Sequence, residues 1–155
     1  MQLKSTAFEH NGSIPKKHTC DGQDVSPHLT WSGLPAGTKS LTLIMDDPDA
    51  PVGTWIHWVL YDLPANIPGL EEGLPKKDSP SNGAKHGLCW GVDEFDRVGY
   101  HGPCPPPGKP HQYFFKLYAV KESLQLPARA TKPDVLKAMS GMILGQAELI
   151  GIYKR

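Results

Sequence analysis

Six stretches of the chain alternate or cluster apolar residues in the manner of strands: Gln2–Phe8, Leu29–Ser32, Ser40–Met45, Trp55–Asp62, Gln112–Val120 and Ala147–Lys154. They are rich in Ile, Val, Leu, Thr and aromatics, and Gly, Pro, Asn or Asp bounds them. Tyr113 to Val120 is mostly apolar on both faces, which predicts a strand in the middle of a sandwich. In Trp55–Asp62, alternation places Trp55, His57, Val59 and Tyr61 on one face and Ile56, Trp58 and Leu60 on the other. One segment has the helical period instead. Thr131 and Asp134 form a T-x-x-D capping box and Pro133 suits the first turn. Val135, Leu136, Met139, Met142 and Ile143 then form one apolar face, which Gly145 is expected to end. Many strands and one late helix predict a mainly β fold: a two-sheet antiparallel β-sandwich with a short peripheral helix near the C-terminus.

The chain has 155 residues, a length that suits one domain over residues 1–155. No linker or internal repeat divides it. Gly and Pro number 16 each, and Asn66–Ser81 and Gly99–Pro110 are two long stretches rich in them. Sixteen basic and 16 acidic side chains balance to a net charge near zero. That argues against nucleic acid or an anionic membrane surface as a partner. The longest apolar runs, LTLIM (41–45) and WIHWVLY (55–61), are too short to span a bilayer, so no stable membrane insertion is expected. The first residues carry no apolar leader, and a cytoplasmic location is expected. Three cysteines, Cys20, Cys89 and Cys104, read by default as free thiols.

Walker loops, G-x-S-x-G elbows, H-E-x-x-H, C-x-x-C and dinucleotide-type glycine runs are all missing from the sequence. Three clusters carry the remaining chemistry. In DDPDAP (46–51), prolines aim the carboxylates of Asp47 and Asp49. His57 is an imidazole in an apolar strand and needs a polar partner there. The segment Tyr100 to Tyr113 is a proline-stiffened loop that brings His111 and Tyr113 to one strand face. Its backbone N–H groups at Gly102, Cys104 and Gly108 are expected to point at a ligand. Together these residues suggest a narrow pocket lined by Trp55, Trp58 and prolines. Imidazole and phenol donors suit a small oxyanion, with Asp47 setting a histidine tautomer.

The strings DDPDAP (46–51), WIHWVLYDLP (55–64) and GYHGPCPPPGKPHQYFFKLYAV (99–120) resemble the phosphatidylethanolamine-binding protein family. The closer likeness is to its short bacterial and archaeal, Raf kinase inhibitor-like branch, and it runs from about Phe8 to Tyr153. The resemblance implies two antiparallel sheets and an anion-binding pocket built from Asp47, His57, His111 and Tyr113, with Asp49 beside it. His101, Gly102 and Pro103 would form its rim. It further implies binding of phosphate, phosphorylethanolamine-like or carboxylate ligands without catalysis or cofactor. A protein kinase or protease is the implied protein partner.

Two other chemistries compete. Asp47, His57 and His111 could act as acid–base groups with Cys104 as nucleophile, a hydrolase-type reading. Cys89, His101, Cys104 and His111 could supply metal ligands, although their spacing fits no zinc pattern. A homodimer is expected through Trp90, Phe95 and Tyr100 near the rim.

Overall fold

Every apolar run read from the sequence contains a strand in the computed structural model, which describes residues 1–81, 83–90 and 97–155. In chain order the strands are β1 (Gln2–Lys4), β2 (Gly12–Ser13), β3 (Leu29–Ser32), β4 (Ser40–Asp47), β5 (Trp55–Pro64), β6 (Gly69–Leu70), β7 (Lys85–His86), β8 (Leu88–Cys89), β9 (Arg97–Val98), β10 (His111–Val120) and β11 (Ile143–Tyr153). A single α-helix among the described residues, α1 (Lys132–Met139), lies between β10 and β11.

Six strands form the main sheet in the order β2-β11-β10-β4-β5-β7. The mostly apolar β10 sits inside it, between β11 and β4, as its pattern predicts. A second sheet of order β1-β3-β6 and a ribbon of β8 and β9 complete the described strands. Pairing is antiparallel except between β2 and β11, which run parallel.

Two apolar clusters lie on opposite faces of the main sheet. Leu41, Leu43 and Met45 of β4 join Tyr113, Phe115 and Leu117 of β10 and Leu3, Leu29 and Trp31 of the smaller sheet. Ile44 of β4 faces the other way, with Val59, Tyr61, and Val135 and Met139 of α1. The period of two along β4 therefore feeds both cores.

The capping box of α1 forms as expected. Thr131 Oγ1 accepts from the Asp134 N–H at 3.2 Å, and Asp134 Oδ2 accepts from the Thr131 N–H at 3.3 Å. The helix ends earlier than its apolar spacing suggests. Gly141 turns the chain at φ 79°. Ile143 then pairs with Val120, and Gly145 lies within β11 opposite Ala119. Strand pairing with β10 overrides a helical period that only two residues, Met142 and Ile143, extended. At the other end, β1 stops at Lys4. Ser5 Oγ there donates to the His28 carbonyl and accepts from the Ala7 N–H, which turns the chain away.

The thiol expectation is corrected as well. Cys20 and Cys104, 84 residues apart, form a disulfide with Cα atoms 5.4 Å apart. Such a pairing depends on the folded path of the chain rather than on local spacing. Cys89 keeps a free but buried thiol, pushed up to about 11 by burial. No described helix is long and apolar enough to cross a membrane.

Candidate functional site

A β-bulge sets up the site. Asp46 pairs with Ile56 and Met45 with Trp58, so His57 is an extra residue with no partner on β4. Strict alternation breaks there. Ile56 packs in the helix-side cluster with Val59, three positions on, while Trp58 packs in the inter-sheet cluster. His57 joins the inter-sheet side, its ring edge-on to Tyr113 at 5.3 Å. It does not share a face with Val59 and Tyr61, contrary to the unbroken alternation.

Asp47 closes β4 on the same side. Its Oδ2 accepts from His111 Nδ1 at 2.7 Å, and its Oδ1 accepts from the Asp49 N–H at 2.8 Å. Both partners of the Asp47–His111 pair are almost fully buried. His111 and Tyr113, two apart on β10, stack with ring centroids 6.4 Å apart. Burial, and then the nearby Asp47 charge, push the Tyr113 phenol well above its ordinary range. The phenol therefore stays protonated, and a side-chain hydrogen bond to Asp47 engages its one proton.

His57 Nδ1 lies 2.6 Å from the His101 carbonyl oxygen. A carbonyl only accepts, so Nδ1 carries the proton. Burial lowers the His57 pKa, against opposing contributions from the His101 hydrogen bond and from Asp47. The ring is neutral at pH 7 and leaves Nε2 for the cavity.

These four side chains line a cavity of about 220 Å³ together with Trp55, Gly102, Cys104, Pro51, Pro105, Pro106 and Arg97. Arg97 is the residue the sequence reading missed. Its Nε donates to the Trp90 carbonyl at 3.0 Å. Among the described lining residues it alone carries a fixed positive charge, and a guanidinium is a planar donor for oxyanions. Its sequence signal is faint: one arginine on a two-residue strand, just before Gly99-Tyr100-His101.

The rim is held differently from the expectation. The Gly102 N–H donates to Asp24 Oδ1 at 2.7 Å and so does not face a ligand. A Cβ on Gly102 would stand 2.0 Å from the His18 carbonyl oxygen, so only glycine fits. The Pro103 carbonyl accepts from the Cys20 N–H at 3.1 Å. His101 turns its Nε2 to the Val98 carbonyl at 3.1 Å, and burial, then Arg97 and Lys76, pull it down to about 4. His101 and Pro103 support the rim without lining the cavity, and Gly108 lies outside it. Asp49 also stands back, with Oδ2 accepting from the Gln112 N–H at 2.9 Å. That bond ties the DPDAP turn to the start of β10.

Three further expectations are corrected. Trp58 is fully buried, donating from Nε1 to His86 Nε2 at 3.0 Å, and does not line the cavity. Cys104 is in a disulfide, so it presents no thiolate nucleophile. Tyr100 is fully buried with its hydroxyl donating to the His18 carbonyl at 2.6 Å, so it is no surface aromatic for a dimer. Phe95 lies outside the described residues. Cys89, His101, Cys104 and His111 do not come together; the described residues hold no group of three or more metal-ligating side chains.

Comparison with known proteins gives the family and the fold. The family model described as phosphatidylethanolamine-binding protein covers residues 4–154. A UPF0098 protein of Aquifex aeolicus is 51% identical over 157 residues, spanning 100% of this chain and 89% of its own. One from Methanothermobacter thermautotrophicus is 48% identical over 155 residues, spanning 100% and 99%. Among solved structures, E. coli YbcL, described as a member of the mammalian PEBP family, superposes with a TM-score of 0.88 at 31% identity, covering 99% of this chain and 98% of that one. With its mainly β architecture and these relatives, the chain belongs to the phosphatidylethanolamine-binding protein family, in its bacterial and archaeal branch.

Proposed function

We propose that this protein is a non-enzymatic binder of a small anion, phosphate or a phosphorylethanolamine-like headgroup, and that the loaded pocket modulates a protein kinase or protease. One observation carries the reading. Arg97, Tyr113 and two imidazoles with fixed Nδ1 partners converge on one cavity of about 220 Å³. That volume suits an anion and a short substituent. Aromatic and proline side chains in the wall lower the local polarity and strengthen each charge-assisted bond.

The test is a calorimetric titration with phosphate, phosphorylethanolamine and acetate, using His111→Ala as control. Saturable binding that the variant loses supports the reading. Equal binding by parent and variant moves the site elsewhere, and no binding of any anion ends the proposal. Two accompanying features belong to the same proposal. Cell fractionation checks the cytoplasmic location against the Cys20–Cys104 bond, which is more usual in oxidising compartments. Light scattering checks the homodimer.

A further inference from the structure

The two histidines of the pocket differ in one respect. His111 Nδ1 donates to a carboxylate oxygen, Asp47 Oδ2, at 2.7 Å. His57 Nδ1 is bonded to a neutral carbonyl and has no such partner. Its other neighbours are the Tyr113 ring at 5.3 Å, and the charges of Asp47, Asp24 and Arg97 at longer range. The two aspartates favour a proton on His57; Arg97 and burial oppose it, and burial prevails. With Nδ1 donating, Nε2 turns a lone pair, not a proton, toward a site built for anions.

We propose that His57 makes the pocket select an oxyanion that brings its own proton. This inference rests on the anion-binding reading above. The Arg97 guanidinium donates to any oxyanion and cannot discriminate. Nε2 of neutral His57 can only accept, so one ligand oxygen must carry hydrogen. Hydrogen phosphate does. A phosphomonoester does in its singly protonated form, which is well populated near its second pKa of about 6. Sulfate and a phosphodiester are fully deprotonated at neutral pH. They must either leave two acceptors facing each other or protonate His57 first. The phosphate of an intact phospholipid is a diester and falls in the rejected class, whereas free phosphate is accepted and a released monoester headgroup is accepted in its monoprotonated form, near and below its second pKa of about 6.

The experiment is calorimetry at pH 7.5 with inorganic phosphate, sulfate and dimethyl phosphate as probes. Hydrogen phosphate and sulfate match in charge and shape and differ chiefly in the proton. Phosphate is expected to bind about tenfold or more tightly than either competitor. Sulfate affinity should climb as pH falls, because a protonated His57 can donate from Nε2. Heats measured in buffers of different ionisation enthalpy should show proton uptake with sulfate and little with phosphate. In His57→Gln, whose amide can donate, the preference should vanish. If that variant does not fold, the buffer dependence of the parent protein decides alone. Equal affinity for phosphate and sulfate at pH 7.5, without proton uptake, overturns the inference while leaving anion binding intact. Failure of every anion to bind overturns both.

Discussion

Asp46 and Asp47, neighbours on β4, hold nitrogen donors on opposite faces of one sheet. Asp47 Oδ2 meets His111 Nδ1 at 2.7 Å on the cavity side. Asp46 Oδ2 meets Lys132 Nζ at 2.9 Å and Lys116 Nζ at 3.5 Å on the helix side. Two adjacent, almost fully buried carboxylates thus have separate tasks, one tying down α1 and the other orienting a ligand-binding imidazole.

Those tasks should separate in mutants. Lys132→Met weakens the anchoring of Asp46 but leaves Lys116 nearby, so the cost is about 1–2 kcal/mol. The melting temperature should drop by roughly 3–6 °C. Phosphate affinity, measured by calorimetry on the same sample, should stay at the parent value. A parallel fall in both would show that the two faces are coupled.

Arg97 should matter to binding far more than to folding. Arg97→Gln removes the cavity's fixed positive charge and is expected to weaken phosphate binding about tenfold, with a shallower dependence on salt. Titration at two ionic strengths reads both effects.

Gly102→Ala should harm stability and binding together. The added Cβ meets a carbonyl oxygen at 2.0 Å and Asp24 Oδ1 at 2.7 Å, so the rim must move. A loss of about 2–4 kcal/mol in denaturant unfolding is expected, with phosphate binding lost as well.

The disulfide should be a large part of the global stability. Its 84-residue span implies up to about 4–5 kcal/mol of denatured-state restriction. Cys104→Ser, or the parent protein with excess dithiothreitol, should unfold at correspondingly lower denaturant. An unchanged midpoint would mean that the hydrogen bonds of Gly102 and Cys20 already hold the rim.

Acid should destabilise the fold through His86. Its Nδ1 donates to the Lys77 carbonyl at 2.7 Å and its Nε2 accepts from Trp58, so only the neutral ring satisfies both bonds. Burial lowers its pKa below 6.5. The unfolded chain therefore binds the proton more readily. The contribution is fully present above pH 6.5 and is lost as pH falls through the lower folded value. His57 and His101, lowered for the same reason, add to it. Melting curves should show several degrees lost between pH 7 and pH 5, with a flatter profile in His86→Gln.

Much of this was legible beforehand because it is local. Alternation located β4, β5 and β10, and the T-x-x-D box located the start of α1. Asp47, His57, His111 and Tyr113 fell within short motifs that strand geometry brings to one place. What stayed hidden depends on long-range contact. The partner of Cys104 is 84 residues away. Asp24 takes the Gly102 N–H across 78 residues. Arg97 reaches the cavity only because its two-residue strand pairs with β8. The face of His57 was misread because a bulge leaves no mark on residue type.

That bulge has a consequence for how the site tolerates insertion and deletion. Between Ile56 and Trp58 the chain carries one residue more than β4 requires. Removing any single residue there would restore regular pairing, and by ordinary measures of strand quality it would be an improvement. It would also take away the imidazole, or turn it toward the helix-side core. The count of residues between Trp55 and Trp58 is therefore as much a part of the binding site as the identity of any one of them. A variant library that conserves composition while varying length by one should find this segment the least forgiving on the chain.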